Sequence, residues 1–329
     1  GWRASMRCGR WSMSTPMRAA APNSARQAEG TSKMDAGTLD IGGFEERVFQ
    51  SVDGLALYAR DYPPLAPETG LPVICLHGLT RNSKDFEVIA PRIAACGRRV
   101  IAADVRGRGQ SAHDPDPAHY VPTVYAQDVA ALMDALAVPK AVFVGTSMGG
   151  LITMVLAALA PERVAAVVLN DIGHKLDPAG LARIGGYVGR TQPVQSWEQA
   201  ADAIRAIAGD IYPTKRDDPS FWLSFAQRTF RTRDDGSIST DYDPHIALAM
   251  ASPGAPPPDM TPLFQALANK PTLLLRGGIS DLLSPGIVAE MRALKPDLVA
   301  VDVAHVGHAP MLDEPEAWDA ILSFLARID

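Results

Sequence analysis

The sequence has 329 residues, 47% hydrophobic and 21% charged, with a formal net charge of −6 and a pI near 5.7. This is the composition of a folded, water-compatible chain whose core is large enough to need no disulfide or metal support, and the acidic balance argues against a nucleic-acid or anionic-membrane partner. The three cysteines, Cys8, Cys75 and Cys96, fit neither a disulfide framework nor a zinc motif; Cys75 sits in an apolar run and is expected to be buried, a reducing compartment fits best, and a cytoplasmic location is expected.

Residues 1–43 differ from the rest. Arg3, Arg7, Arg10, Arg18, Arg26 and Lys33 are interspersed with serines, and Glu29 is the lone acid of the first 33 residues. The expected reading is a disordered extension or sequence upstream of a later start at Met6, Met13, Met17 or Met34, with an organellar transit peptide as the alternative. There is no apolar h-region of a secretory signal. The longest apolar stretch, Leu151 to Ala160, is too short to span a bilayer.

Regular patterning begins near Phe44. Arg47 to Ser51 and Leu55 to Tyr62 read as strands around the turn Asp53-Gly54. Leu71 to His77 and Arg99 to Asp104 read as buried strands, with a helix from about Ser83 to Ala95 between them. Val121 to Ala137 has helical spacing. Ala141 to Gly145 is a strand, Met148 to Leu159 a helix, and Val164 to Leu169 a strand. The alternation resumes with strand Thr272 to Leu275, helix Gly286 to Leu294, strand Leu298 to Val303 and helix Pro315 to Ala326. Short β-rich runs alternating with helices imply an α/β fold with a mostly parallel sheet covered on both faces, and the N-terminal pair is placed as antiparallel edge strands.

The segment between Gly173 and Thr261 breaks the alternation. Its periodicity is helical, as in Trp197 to Ile207 and Pro219 to Phe230, and the Pro-rich stretch Pro253 to Pro258 closes it. The domain reading is therefore an α/β core over residues 44–172 and 262–329, interrupted by a helical insertion over 173–261. Gly185-Gly186 and Pro253 to Pro258 are candidate hinges of that insertion.

Gly145-Thr146-Ser147-Met148-Gly149 matches G-x-S-x-G between a strand and a helix. Such a turn strains the serine backbone and lifts its Oγ above the sheet edge, while glycines on either side let strand and helix approach. The helix N-terminus beneath favours developing negative charge. A serine hydroxyl needs a base within hydrogen-bond reach. Of seven histidines, His308 in Gly307-His308-Ala309-Pro310 follows the last strand, at the same sheet edge as the serine; His305 is its rival. The imidazole needs a carboxylate to fix its tautomer. Asp281, on the loop Arg276 to Asp281, is the preferred acid; Asp171, after the strand ending at Leu169, is the alternative, and Asp302 lies within a strand. The order Ser147, Asp281, His308 matches the order of this motif's triad.

These motifs, with His77-Gly78 and the stretch Asp104-Val105-Arg106-Gly107-Arg108-Gly109-Gln110-Ser111, resemble the α/β-hydrolase superfamily in its cap-bearing, serine esterase-like branch, over about Glu45 to Ile328. The resemblance implies an oxyanion hole from the backbone N–H groups of Leu79 and Met148, a structural D-x-R-G-x-G-x-S turn, and an insertion that caps the site and carries aromatic residues such as Tyr187, Tyr212 and Phe225. Ser147 stands where the family's dehalogenases and epoxide hydrolases carry an aspartate. The expected activity is hydrolysis of a small-molecule carboxylic ester through an acyl-enzyme, with no cofactor and no metal. A lactonase, thioesterase, amidase or carbon–carbon bond hydrolase would carry the same triad, a haloperoxidase side activity occurs in the superfamily, and a non-catalytic ligand receptor is the alternative of another class. Oligomeric state is not legible.

Overall fold

The structure is a computed structural model that describes residues 43–250 and 259–329. Apart from Gly43, the N-terminal extension expected over residues 1–43 lies outside the described residues, as do Cys8 and the Pro-rich stretch Pro253 to Pro258.

Eight strands form one sheet in the order β1-β2-β4-β3-β5-β6-β9-β10. They are β1 (Glu45–Gln50), β2 (Ala56–Tyr62), β3 (Val73–Leu76), β4 (Val100–Asp104), β5 (Ala141–Thr146), β6 (Val164–Asn170), β9 (Thr272–Gly277) and β10 (Val299–Val303). β1 pairs antiparallel with β2 and β2 antiparallel with β4; every other neighbouring pair is parallel. The central strands β3, β4, β5 and β9 are buried nearly throughout, as strands covered on both faces must be. The edges are instead charged: Glu45, Glu46 and Arg47 on β1, and Asp302 on β10. Charge on an edge discourages pairing with a further strand.

Two apolar clusters pack against the opposite faces of the sheet. The first gathers α2 (Pro122–Ala135), α3 (Met148–Leu159) and α8 (Pro285–Leu294); the second gathers α1 (Ile89–Ala95) and α9 (Pro315–Leu325). Cys75, on β3, is fully buried, and burial pushes its thiol well above its usual range. The expected helix from Ser83 to Ala95 is shorter than read. A single turn at Ser83–Phe86 is capped by the Asn82 side chain, and the α-helix begins only at Ile89. Pro91 explains the break, because its ring clashes with the carbonyl four residues back and the helix cannot extend through residue 87.

Between β6 and β9 the chain forms α4 (Pro178–Tyr187), α5 (Trp197–Ala208), α6 (Pro219–Thr229) and, just before β9, α7 (Thr261–Gln265). Side chains of Asp177, Ser196 and Asp218 cap the first three at their N-termini. This segment is not wholly helical: β7 (Phe230–Thr232) and β8 (Ile238–Thr240) form an antiparallel hairpin around Gly236, which has a φ of 81°.

β3 is the first of the parallel strands in sequence and pairs with β4 on one side and β5 on the other. The order in which successive strands are added to the sheet reverses there, and in open α/β sheets the crevice outside the carboxyl ends of such strands is where ligands bind. The carboxyl ends of β3, β5, β6, β9 and β10 deliver Gly78, Ser147, Asp171, Asp281 and His308 to that crevice.

Candidate active site

Ser147 lies between β5 and α3 with φ 51° and ψ −115°. A non-glycine residue in that region costs about 1–3 kcal/mol and persists only where the surroundings enforce it. Here the backbone is held by Ser147 N–H donating to Asn170 O at 2.9 Å and by Gly150 N–H donating to Ser147 O at 2.9 Å. The flanking glycines are required by close approach: a Cβ on Gly149 would stand 2.0 Å from Leu76 O, and one on Gly145 2.5 Å from Gly150 N.

Ser147 Oγ is 2.9 Å from His308 Nε2, and His308 Nδ1 is 2.8 Å from Asp171 Oδ2. A carboxylate accepts, so Nδ1 carries the proton and Nε2 is left to accept from the serine hydroxyl. Asp171 is fully buried at the end of β6, with φ 54°. Its Oδ1 accepts from Gly277 N–H at 2.8 Å and its Oδ2 accepts also from Ser280 Oγ at 2.6 Å. These bonds satisfy the buried charge and fix the carboxylate in place.

The carboxylate on His308 is therefore Asp171, not the preferred Asp281. Asp281 is about a third exposed and pairs with Arg183 of α4, which donates from Nε at 2.6 Å and from Nη2 at 2.8 Å. That hydrogen bond and the guanidinium charge hold the Asp281 carboxyl below the usual carboxylate range. Its loop still serves the site, since Ser280, one residue earlier, donates to Asp171. His305 is exposed, and Asp302, also exposed, pairs with Arg276 at 3.2 Å.

Leu79 lines the cavity above Ser147. Met148 is the first residue of α3, so its N–H has no intrahelical partner. His77 is fully buried and shapes the Leu79 turn: it accepts from Val105 N–H at Nε2 (3.0 Å), and its Nδ1 faces Gly78 O at 2.7 Å. An accepting Nε2 requires the neutral ring with its proton on Nδ1. Burial pushes its pKa down to about 4. Arg108, from the D-x-R-G-x-G-x-S turn, reaches further than the sequence suggests. Its buried guanidinium donates to Leu79 O at 3.0 Å and to Tyr125 Oη at 3.0 Å, and lies 3.7 Å from Met148 Sδ. It thus touches both residues expected to supply oxyanion N–H groups.

Arg106 of the same turn is bound by Asp53, Asp114 and Asp128. Asp53, Asp114 and His119 bring ligand-type atoms within 4.8 Å of one another. The Arg106 guanidinium already donates to both of those carboxylates, so a protein cation meets the charge of this cluster.

The cavity over Ser147 and His308 has a volume of about 120 Å³. Its walls come from the Gly78–Arg81 turn, from Ala309 to Leu312, and from Ile184, Tyr187, Ile204, Ile211, Tyr212 and Phe225 of the segment between β6 and β9. Tyr212 packs edge-on against Phe221 and Trp222, so part of this aromatic set is the segment's own core. Gly185 and Gly186 lie inside α4, which runs through them to Tyr187.

The family model for the alpha/beta hydrolase fold matches residues 72–315, and the chain belongs to that family. It is 36% identical over 252 residues to a 3-hydroxybutyrate-oligomer hydrolase of Cupriavidus necator, a match covering 74% of this chain and 84% of that protein. It is 28% identical over 260 residues to the sn-1-specific diacylglycerol lipase ABHD11 of Mus musculus, covering 77% and 80%. Among solved structures, an alpha/beta hydrolase from Novosphingobium aromaticivorans superposes with a TM-score of 0.80 at 44% identity, over 87% of this chain and 99% of that one. The protein is a hydrolase of the α/β family. No helix among the described residues is long and apolar enough to cross a membrane.

Proposed function

We propose that the protein hydrolyses small carboxylic esters through an acyl-enzyme on Ser147. The observation that carries this reading is the unbroken hydrogen-bonded line from Ser147 Oγ through His308 to Asp171. Ser147 attacks the ester carbonyl as His308 Nε2 takes its proton, and Asp171 stabilises the imidazolium and holds its tautomer. The N–H groups of Leu79 and Met148 donate to the developing oxyanion; one such donor is typically worth ~3 kcal/mol in a transition state. His308 then protonates the departing alcohol, and a water activated by the same ring cleaves the acyl-enzyme.

The described part of the segment between β6 and β9 acts as a cap, with α4, α5 and α6 walling the cavity over the serine. A cavity of about 120 Å³ suits a short acyl group. The relative from Cupriavidus necator is named for an oligomer of a short hydroxy acid, which is consistent with that size. Lactones and thioesters would be opened by the same groups, and a substrate panel ranks them. The test is hydrolysis of p-nitrophenyl butyrate by the wild type beside Ser147→Ala. Turnover lost in the variant supports the reading; equal turnover by both overturns it.

A further inference from the structure

Arg81 is the one arginine or lysine side chain lining the apolar cavity of Ser147 among the described residues. It sits on the turn that carries Leu79, and its N–H donates to Gly78 O at 3.1 Å. A methyl placed on Gly78 would stand 3.6 Å from Arg81 Cγ and 3.9 Å from Ser147 Cβ, so the arginine stem and the serine flank the same glycine. The guanidinium is held on three sides. It stacks on Phe225 with Cζ 4.2 Å from the ring centroid, Nε lies 3.0 Å from both oxygens of Asp85, Nη2 also bonds Asp85, and Nη1 bonds Thr229 Oγ1.

A guanidinium has five N–H donors. Asp85 and Thr229 engage three, which leaves one on each terminal nitrogen without an acceptor among the described residues. An arginine fixed in this way loses little freedom on accepting a further partner. Asp85, which also lines the cavity, neutralises its charge. The pair therefore offers directed donors without net positive charge, which suits a hydroxyl or carbonyl oxygen better than a carboxylate.

Building on the ester-hydrolase reading above, we infer that Arg81 determines specificity: its free N–H groups bind an oxygen carried on the acyl chain a few bonds from the ester carbonyl. The enzyme then favours esters of hydroxy or oxo acids over plain alkanoates. A directed hydrogen bond of this kind gives roughly a tenfold preference in kcat/KM.

The experiment compares kcat/KM for p-nitrophenyl β-hydroxybutyrate and p-nitrophenyl butyrate in the wild type, Arg81→Met, Arg81→Lys and Asp85→Asn. The wild type should favour the hydroxy ester about tenfold. Arg81→Met should bring the ratio close to one, and Arg81→Lys should keep part of it through its remaining donors. Asp85→Asn unmasks the cation and should shift preference toward p-nitrophenyl hemiglutarate over p-nitrophenyl pentanoate. A wild-type ratio near one, or an unchanged ratio in a folded Arg81→Met, overturns the inference. If Arg81→Met does not fold, loss of the anionic shift in Asp85→Asn overturns it instead. Failure of the wild type to cleave either ester overturns the ester-hydrolase reading, and this inference with it.

Discussion

Arg183 donates to both oxygens of Asp281, at 2.6 and 2.8 Å, while the buried Asp171 accepts from His308 Nδ1 at 2.8 Å. Two carboxylates lie at neighbouring strand ends, and a salt bridge from α4 occupies one of them. Replacing Asp171 by Asn should therefore cost on the order of 10⁴-fold in kcat, because the histidine loses the group that fixes its tautomer. Asp281→Asn should cost less than about tenfold, since a partly exposed ion pair that does not touch His308 contributes little. Steady-state kinetics of the two variants, each checked for folding by circular dichroism, decide the assignment; a greater loss in Asp281→Asn would reverse it.

His77 predicts a pH dependence of stability. The folded ring takes up its second proton only below about pH 4, whereas the unfolded chain does so below about 6.5. Between those values the unfolded state carries more protons, so stability falls as pH drops through this window, by up to about 3 kcal/mol, and is unaffected by this group above it. Urea unfolding of the wild type at pH 4.5 and pH 7 should show a larger difference than His77→Gln. Equal differences would mean that the ring titrates normally in the fold.

Removing Arg106 should strongly destabilise the protein. Asp114 and Asp128 are almost completely buried around it, and burial pushes the Asp128 carboxyl upward. Arg106→Met would leave these groups without their cation, at a cost of about 3–5 kcal/mol. Chemical denaturation checks this, and a variant within about 1 kcal/mol of wild type would contradict it.

A cavity of about 120 Å³ is small beside the pockets that hold drug-sized ligands. Acetyl and butyryl esters should therefore be cleaved with higher kcat/KM than octanoyl esters of the same alcohol. A rising series would show that the walls from α4 to α6 open to admit long chains.

Most of the fold was legible in the sequence because buried parallel strands are short apolar runs and the helices between them have clear periodicity. Helix Met148 to Leu159 was read to the residue. The hairpin β7–β8 escaped because its surroundings are helical, although Asp235-Gly236 between short β-prone runs is a turn signal in its own right. Ser147 and His308 announce themselves through glycine-flanked turns at strand ends. The acid does not. Asp171 and Asp281 both follow strands, and the choice rests on Arg183, distant in sequence and with no local mark. The burial of the segment around Asp171, directly after an apolar strand, was the available clue. Arg108 reads as a turn residue because its contacts with Leu79 and Met148 join two turns and a helix start that are far apart in sequence.

A covalent intermediate on Ser147 can be trapped chemically. Incubating the protein with diethyl p-nitrophenyl phosphate, followed by intact mass and peptide mapping, tests it most directly. The expected outcome is one equivalent of p-nitrophenol released, one diethylphosphoryl group carried on Ser147, and no labelling of Ser147→Ala. Labelling at another residue, or equal labelling of the variant, would contradict it.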